Sequence, residues 1–114
     1  MKKLSIITPC YNEEVNVEIC AQELKKVMQE KLSGYDYEHI FADNASTDTT
    51  LEKLRELAAK DDHIKVISNS RNVGPFRNMW NAMKSVSGDA VVPLLPADLQ
   101  DPPSVIPELV KHWE

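Results

Sequence analysis

The sequence predicts an α/β fold: a parallel sheet wound in the order β-α-β-α-β-α-β-α, with helices on both faces. Three observations predict it. Short apolar runs alternate with segments of three- and four-residue apolar periodicity. The alternation continues to the last residue without an internal repeat, a linker or a low-complexity tract, so residues 1–114 read as one domain. The only glycines, Gly34, Gly74 and Gly88, each stand at a predicted helix end. Alternation of this kind implies right-handed crossovers between parallel strands.

Leu4-Ser5-Ile6-Ile7-Thr8 is the first predicted strand. Val17, Cys20, Ala21, Leu24, Val27, Met28 and Leu32 then mark one face of a helix, with Gly34 just past its end. Tyr37–Ala42 is the second strand. Ser46-Thr47-Asp48 opens a second helix, with hydroxyls to cap it and an acid in the first turn; Leu51, Leu54, Leu57 and Ala58 are its buried stripe. Ile64–Ile67 is the third strand. Gly74-Pro75 starts a third helix, since proline suits the first helical position. Its apolar face is Phe76, Met79, Trp80, Met83 and Val86, and Met79, Trp80 and Met83 are expected in the core. Ala90–Leu95 is the fourth strand, in which Pro93 implies a bulge or an edge position. Asp101 is expected to cap a last helix begun by Pro102, with Val105, Ile106, Leu109, Val110 and Trp113 on one side.

Composition excludes several functions. Thirteen Lys+Arg against 18 Asp+Glu give a net charge of −5, and there is no basic run. Phosphate contacts are made mainly by Lys and Arg, so nucleic acid is not an expected partner. Two cysteines, Cys10 and Cys20, make neither a disulfide framework nor a zinc cluster. The basic start is followed by too short an apolar run for a signal peptide, and no stretch approaches the roughly 20 apolar residues of a spanning helix. A reduced, cytoplasmic chain is the expectation.

With three glycines in all, the chain holds no dinucleotide fingerprint and no P-loop. His39, His63 and His112 are scattered, and none forms a motif with Cys10. Polar residues gather instead after the predicted strands, where open α/β sheets bind ligands. These segments are Thr8-Pro9-Cys10-Tyr11-Asn12-Glu13-Glu14, Asp43-Asn44-Ala45-Ser46-Thr47-Asp48, Ser70-Arg71-Asn72-Val73-Gly74 and Pro96-Ala97-Asp98-Leu99-Gln100-Asp101-Pro102-Pro103.

These segments in this order, with Ser87-Gly88-Asp89-Ala90, resemble the family 2 glycosyltransferases of the GT-A fold. The branch most resembled passes sugars to polyprenyl phosphate, as in dolichol-phosphate mannose synthases and GtrB-like enzymes. The resemblance implies a Rossmann-like GT-A sheet, of which this chain is the N-terminal half, carrying the nucleotide-sugar-binding part of the domain.

It further implies a site. Tyr11 offers a flat apolar surface for a base, Glu13 an acceptor, and Pro9 a rigid turn; the alternative is that Pro9 and Asn12 simply end a strand. Where the family has two adjacent acids and a glycine, this chain has Asp43-Asn44-Ala45. Asp43 can accept from a base N–H, and Asn44 can donate as well as accept. Ser46 and Asp48 are expected to cap. Arg71 is the cation for the diphosphate. Gly74 either opens its helix or lets backbone approach the nucleotide. Asp98 matches the second acid of the family's Asp-x-Asp metal motif and Gln100 a glutamine of the polyprenyl branch, whereas Pro96 stands where the first acid would be. Mg²⁺ or Mn²⁺ is the implied metal.

The expected function is transfer of a sugar from a UDP- or GDP-sugar to a polyprenyl phosphate or other acceptor. The rivals are a truncated, non-catalytic nucleotide-binding remnant or regulatory module, and, more distantly, a nucleotidyltransferase. An exposed sheet edge or helix surface is expected to favour a homo-oligomer.

Overall fold

The computed structural model describes residues Met1–Glu114. Four strands, β1 (Lys3–Cys10), β2 (Asp36–Asp43), β3 (Ile64–Ser68) and β4 (Ala90–Val92), alternate with helices α1 (Val17–Lys31), α2 (Thr50–Lys60), α3 (Pro75–Met83) and α4 (Ile106–Trp113). All pairings are parallel, and the strand order is β3-β2-β1-β4. The α/β prediction therefore holds.

Side chains alternate across β1 and β2 and build two apolar layers. Leu4 and Ile6 of β1 and Tyr37 and Phe41 of β2 share one layer with Leu24 of α1, Leu54 of α2 and Ile106 and Val110 of α4. Ile7, Ile40 and Ala42 point the other way and meet Ala82 of α3. Full burial of each large aliphatic or aromatic side chain contributes about 1.5–3 kcal/mol. The chain travels from β1 to β3 with α1 and α2 on one face, then doubles back to β4 with α3 on the other. A crossover that keeps one hand must change faces when the direction of travel reverses. The reversal opens a crevice beyond the C-terminal ends of β1 and β4.

β4 is a three-residue edge strand. It stops before Pro93, and pairing with β1 resumes at Leu95, whose N–H donates to the Ile7 carbonyl at 2.8 Å. Pro93 thus follows an edge strand, in the interruption before Leu95, where its missing N–H breaks no ladder bond.

Three expectations are corrected. Helix α3 turns Asn78 and Ala82 to the sheet, while Phe76 and Trp80 are 81% and 62% exposed. The period is as expected, and Met83 and Val86 of the expected face pack against the apolar layer, but the face is rotated away from Phe76 and Trp80: Asn78 Nδ2 donates to the Ala42 carbonyl at 2.8 Å, and that bond holds Asn78 against β2. Asp101 is exposed and caps nothing; the chain enters α4 through a 3-10 turn, Pro103–Val105, with no side-chain cap. Helix α2 starts later than predicted, at Thr50, with Asp48 Oδ1 accepting the Thr50 N–H at 2.9 Å. Ser46 takes no part in that cap. No helix is long and apolar enough to cross a membrane.

Candidate functional site

The loop after β1 is built on Asn12, whose φ of 52° lies in the left-handed region that asparagine tolerates. Its Oδ1 accepts from the Thr47 N–H at 2.8 Å and the Asp48 N–H at 3.3 Å, and its own N–H donates to Ser46 Oγ at 2.9 Å. Ser46 Oγ in turn donates to Asp43. Glu13 is held by its N–H, donated to Thr50 Oγ1 at 2.9 Å, and its carboxylate accepts from Asn16 Nδ2 at 2.7 Å. Glu14 accepts the Thr49 N–H at 3.0 Å, supplying the start of α2 with a cap from another loop. Its carboxyl pKa is lowered, chiefly by the Thr49 hydroxyl. The loops after β1 and β2 are thereby one unit.

The loop after β3 is tied to β2 through Asn44. Its Oδ1 accepts from the Val73 N–H at 3.0 Å and Asn69 Nδ2 at 3.1 Å; its Nδ2 donates to Asn72 Oδ1 at 3.0 Å and to the Gly74 carbonyl at 3.3 Å. Both donors and both acceptor positions of this amide are engaged within the protein. Beyond β4, Leu99 holds a φ of 59° and its N–H donates to the Pro96 carbonyl at 3.1 Å, while the Gln100 N–H donates to Asp98 Oδ1 at 3.2 Å. A leucine held in the left-handed region is a strained turn, of the kind concentrated at ligand sites.

Two cavities open where these loops meet. One, of about 300 Å³, is lined by Pro9, Cys10, Tyr11, Glu13, Asn44, Asn72, Pro75 and Asn78. The other, of about 400 Å³, is lined by Pro9, Glu13, Pro75, Phe76, Met79, Leu94, Pro96, Ala97, Asp98 and Gln100. Pro9, Glu13 and Pro75 line both, so the two form one cleft over the ends of β1 and β4.

Of the residues singled out in the sequence, the cleft brings together Pro9, Tyr11, Glu13, Asn44, Asp98 and Gln100. Tyr11 is 46% exposed, so its ring is open to the cleft. Asp43, 1% exposed, lies behind the wall, and Arg71 is exposed on the loop after β3 without lining either cavity. Sequence reasoning passed over Asn72 and Asn78. Asn72 stood in the same motif as Arg71, where charge drew the choice, and Asn78 interrupted what was read as an apolar helix face.

With the geometry established, comparison with known proteins is decisive. Residues 5–114 match the family described as Glycosyl transferase family 2. The chain belongs to that family. It is 39% identical over 109 residues to a dolichol-phosphate mannosyltransferase of Pyrococcus furiosus, covering 96% of this chain and 29% of that protein. Among solved structures, the mannosyltransferase PcManGT of Pyrobaculum calidifontis, in complex with GDP-Man and Mn²⁺, superposes with a TM-score of 0.80 at 22% identity over 96% of this chain and 32% of that one. Glucosyl-3-phosphoglycerate synthase of Mycobacterium tuberculosis, in complex with Mn²⁺, UDP and phosphoglyceric acid, gives a TM-score of 0.72 at 27% identity over 98% of this chain and 39% of that one. The fold is thus GT-A-like, and this family 2 chain spans about a third of the length of the curated relatives it matches.

The family 2 cleft holds no cluster of three His, Cys, Asp or Glu side chains suited to a metal. Its hard donors are the Asp98 carboxylate, the Gln100 carbonyl and, at the shared waist, Glu13. Pro96 contributes none. Such a set fits a divalent ion whose shell is completed by phosphate oxygens, which is how Mg²⁺-type sites are commonly built, and does not fit an all-protein cage. The Cys10 thiol also lines the cleft; burial first, then the charges of Cys20, Asp43 and Glu13, push its pKa well above the ordinary thiol value, which disfavours the thiolate.

Proposed function

We propose that this chain carries the donor site of a metal-assisted glycosyltransferase, which takes a sugar from a UDP- or GDP-sugar to a polyprenyl phosphate or a similar acceptor. One observation carries the reading. Tyr11 and Asp98, from loops 87 residues apart in sequence, stand at opposite ends of one cleft whose waist is Pro9, Glu13 and Pro75.

In this reading the base lies on the Tyr11 ring, and the Glu13 carboxylate accepts from the nucleoside. The diphosphate runs toward Asp98 and Gln100, which would hold Mg²⁺ or Mn²⁺ there. The metal's chemistry, when bound, is to neutralise charge on the departing nucleoside diphosphate. Asp98 is fixed for that role by the bond it accepts from the Gln100 N–H. Asp43 and Asn44 position the surrounding loops instead of touching the nucleotide, because their polar atoms are engaged within the protein. Arg71, exposed on the loop after β3 and outside both cavities, is the cation this reading offers to the phosphates. The acceptor oxygen attacks the anomeric carbon as the sugar–phosphate bond breaks. Mn²⁺ and UDP in one related structure, and the dolichol phosphate named for a relative, support this choice of substrates.

A non-catalytic nucleotide-binding module is the second reading. Pro96 in the place of an acid favours it. Paramagnetic broadening tests the site itself: Mn²⁺ with UDP or GDP is expected to broaden amide signals of residues 97–100 and 11–13 first. Broadening centred elsewhere on the surface contradicts the proposal.

A further inference from the structure

The asparagine network at the nucleoside end of the cleft leaves one amide donor unengaged, and its direction is fixed. The Asn44 amide has only one orientation, because its oxygen faces a backbone donor, the Val73 N–H, and its nitrogen faces a backbone acceptor, the Gly74 carbonyl. Asn72 must then present its oxygen to Asn44, since Asn44 Nδ2 at 3.0 Å and the Gly74 N–H at 2.8 Å are both donors. Its Nδ2 is left without a partner, on an exposed residue that lines the cavity containing Tyr11. The network is anchored behind by Asn69, whose Nδ2 bridges Asn44 and Asn78 at 3.1 and 2.8 Å, and by Asn78, bonded to the Ala42 carbonyl.

We infer that Asn72 Nδ2 donates a hydrogen bond to an oxygen acceptor on the base of the bound nucleoside diphosphate, with Asn44 as its positioning residue. The inference rests on the donor-site reading above. Asn72 lines the Tyr11 half of the cleft and not the Asp98 half, which places it beside the base and away from the phosphates. A neutral amide with its acceptor already occupied can only donate, so it faces an acceptor of the base, which in uracil is a carbonyl oxygen and in guanine includes one.

The substitution Asn72→Asp separates the roles. A carboxylate keeps the oxygen that accepts from Asn44 and Gly74 and replaces the free donor with an acceptor. Calorimetry in the presence of Mn²⁺, with UDP, GDP and inorganic pyrophosphate as probes, gives the preference for nucleotide over pyrophosphate in each protein. That ratio is internal to each variant and is not moved by a uniform loss of folded protein. Asn72→Asp is expected to lower it about tenfold, with pyrophosphate binding within about twofold of wild type. Asn72→Ser, which keeps a small polar side chain, is expected to lower it in the same direction and serves if the aspartate variant does not fold. An unchanged ratio in both variants overturns the inference while leaving the donor site standing. Failure of the wild-type chain to bind either nucleotide overturns the donor-site reading and this inference with it.

Discussion

Gly88 lies directly against Ser5: its N–H donates to Ser5 Oγ at 2.8 Å, and a β-carbon at Gly88 would stand 2.6 Å from that oxygen and 2.9 Å from the Lys3 carbonyl. The requirement here is for closeness, not for a left-handed backbone. Ser5 Oγ in turn donates a hydrogen bond to the Glu38 carboxylate, which also accepts from Lys65 Nζ at 2.6 Å and the Ser87 N–H at 2.7 Å. The Ser87-Gly88-Asp89 segment, part of the family resemblance, therefore closes a polar cluster around the buried Glu38 and lines neither cavity of the cleft.

Gly88→Ala is expected to destabilise the chain by about 1–3 kcal/mol, because backbone atoms are among those that must move. Urea denaturation checks this. A variant as stable as the wild type contradicts the packing described.

Acid weakens the fold through two buried groups. Burial lowers the His39 pKa from 6.5 to about 3, with the Asp61 charge opposing it, and leaves a neutral ring bonded to Thr8 at 2.7 Å. For Glu38, burial acts to raise the pKa, but the bonds from Lys65, Ser5 and Ser87 outweigh it and hold the carboxyl at about 2, down from 4.5. Both groups bind protons more readily in the unfolded chain, so both contributions shrink as pH falls. His39 loses its share between 6.5 and about 3, Glu38 between 4.5 and about 2. Unfolding free energy measured from pH 7 to 4 is expected to fall by about 1.4 kcal/mol per pH unit once the unfolded histidine is charged. His39→Gln is expected to flatten the profile above pH 4.5, leaving the Glu38 portion. Identical profiles for the two proteins refute the assignment.

Ala45 sits at a φ of 60°, where the family resemblance implies a glycine. An alanine in that region costs about 1–2 kcal/mol, part of which glycine returns as extra freedom of the unfolded chain. Ala45→Gly is expected to stabilise by about 0.5–1 kcal/mol, read as a higher thermal midpoint. A lower midpoint contradicts it.

The strands and helices were legible because their burial follows local apolar periodicity: Leu4 and Ile6 against Ile7, or Leu24 and Met28 on α1, need no knowledge of distant residues. The phase of α3 was not legible. Phe76 and Trp80 outweigh Asn78 on any hydrophobic scale, and the partners that draw the asparagine inward, the Ala42 carbonyl and Asn69 Nδ2, lie outside the helix. The cleft was legible in outline, since Tyr11 and Asp98 each follow a strand. Its internal ties were not, because Asn12 and Asn44 find partners 25 to 36 residues away along the chain. Asn44 reads as a ligand on residue type alone; that both donors and both acceptor positions of its amide are engaged within the protein is visible only in the fold.

Tyr11→Ala tests the nucleoside half of the cleft. The ring is exposed at the cavity and takes no part in the apolar core. Loss of base stacking is expected to weaken UDP or GDP binding by about tenfold or more, at about 1–3 kcal/mol per stacked base, with stability little changed. Unchanged affinity contradicts the placement of the base.

The most direct test of the central claim is calorimetric titration of the chain with UDP and GDP, with and without Mn²⁺, for wild type and Asp98→Asn. The account predicts that the wild type binds at least one nucleotide, more tightly with Mn²⁺, and that Asp98→Asn removes the Mn²⁺ effect while its thermal midpoint stays at the wild-type value. Absence of binding by the wild type, or Mn²⁺-dependent binding that Asp98→Asn leaves intact, would contradict it.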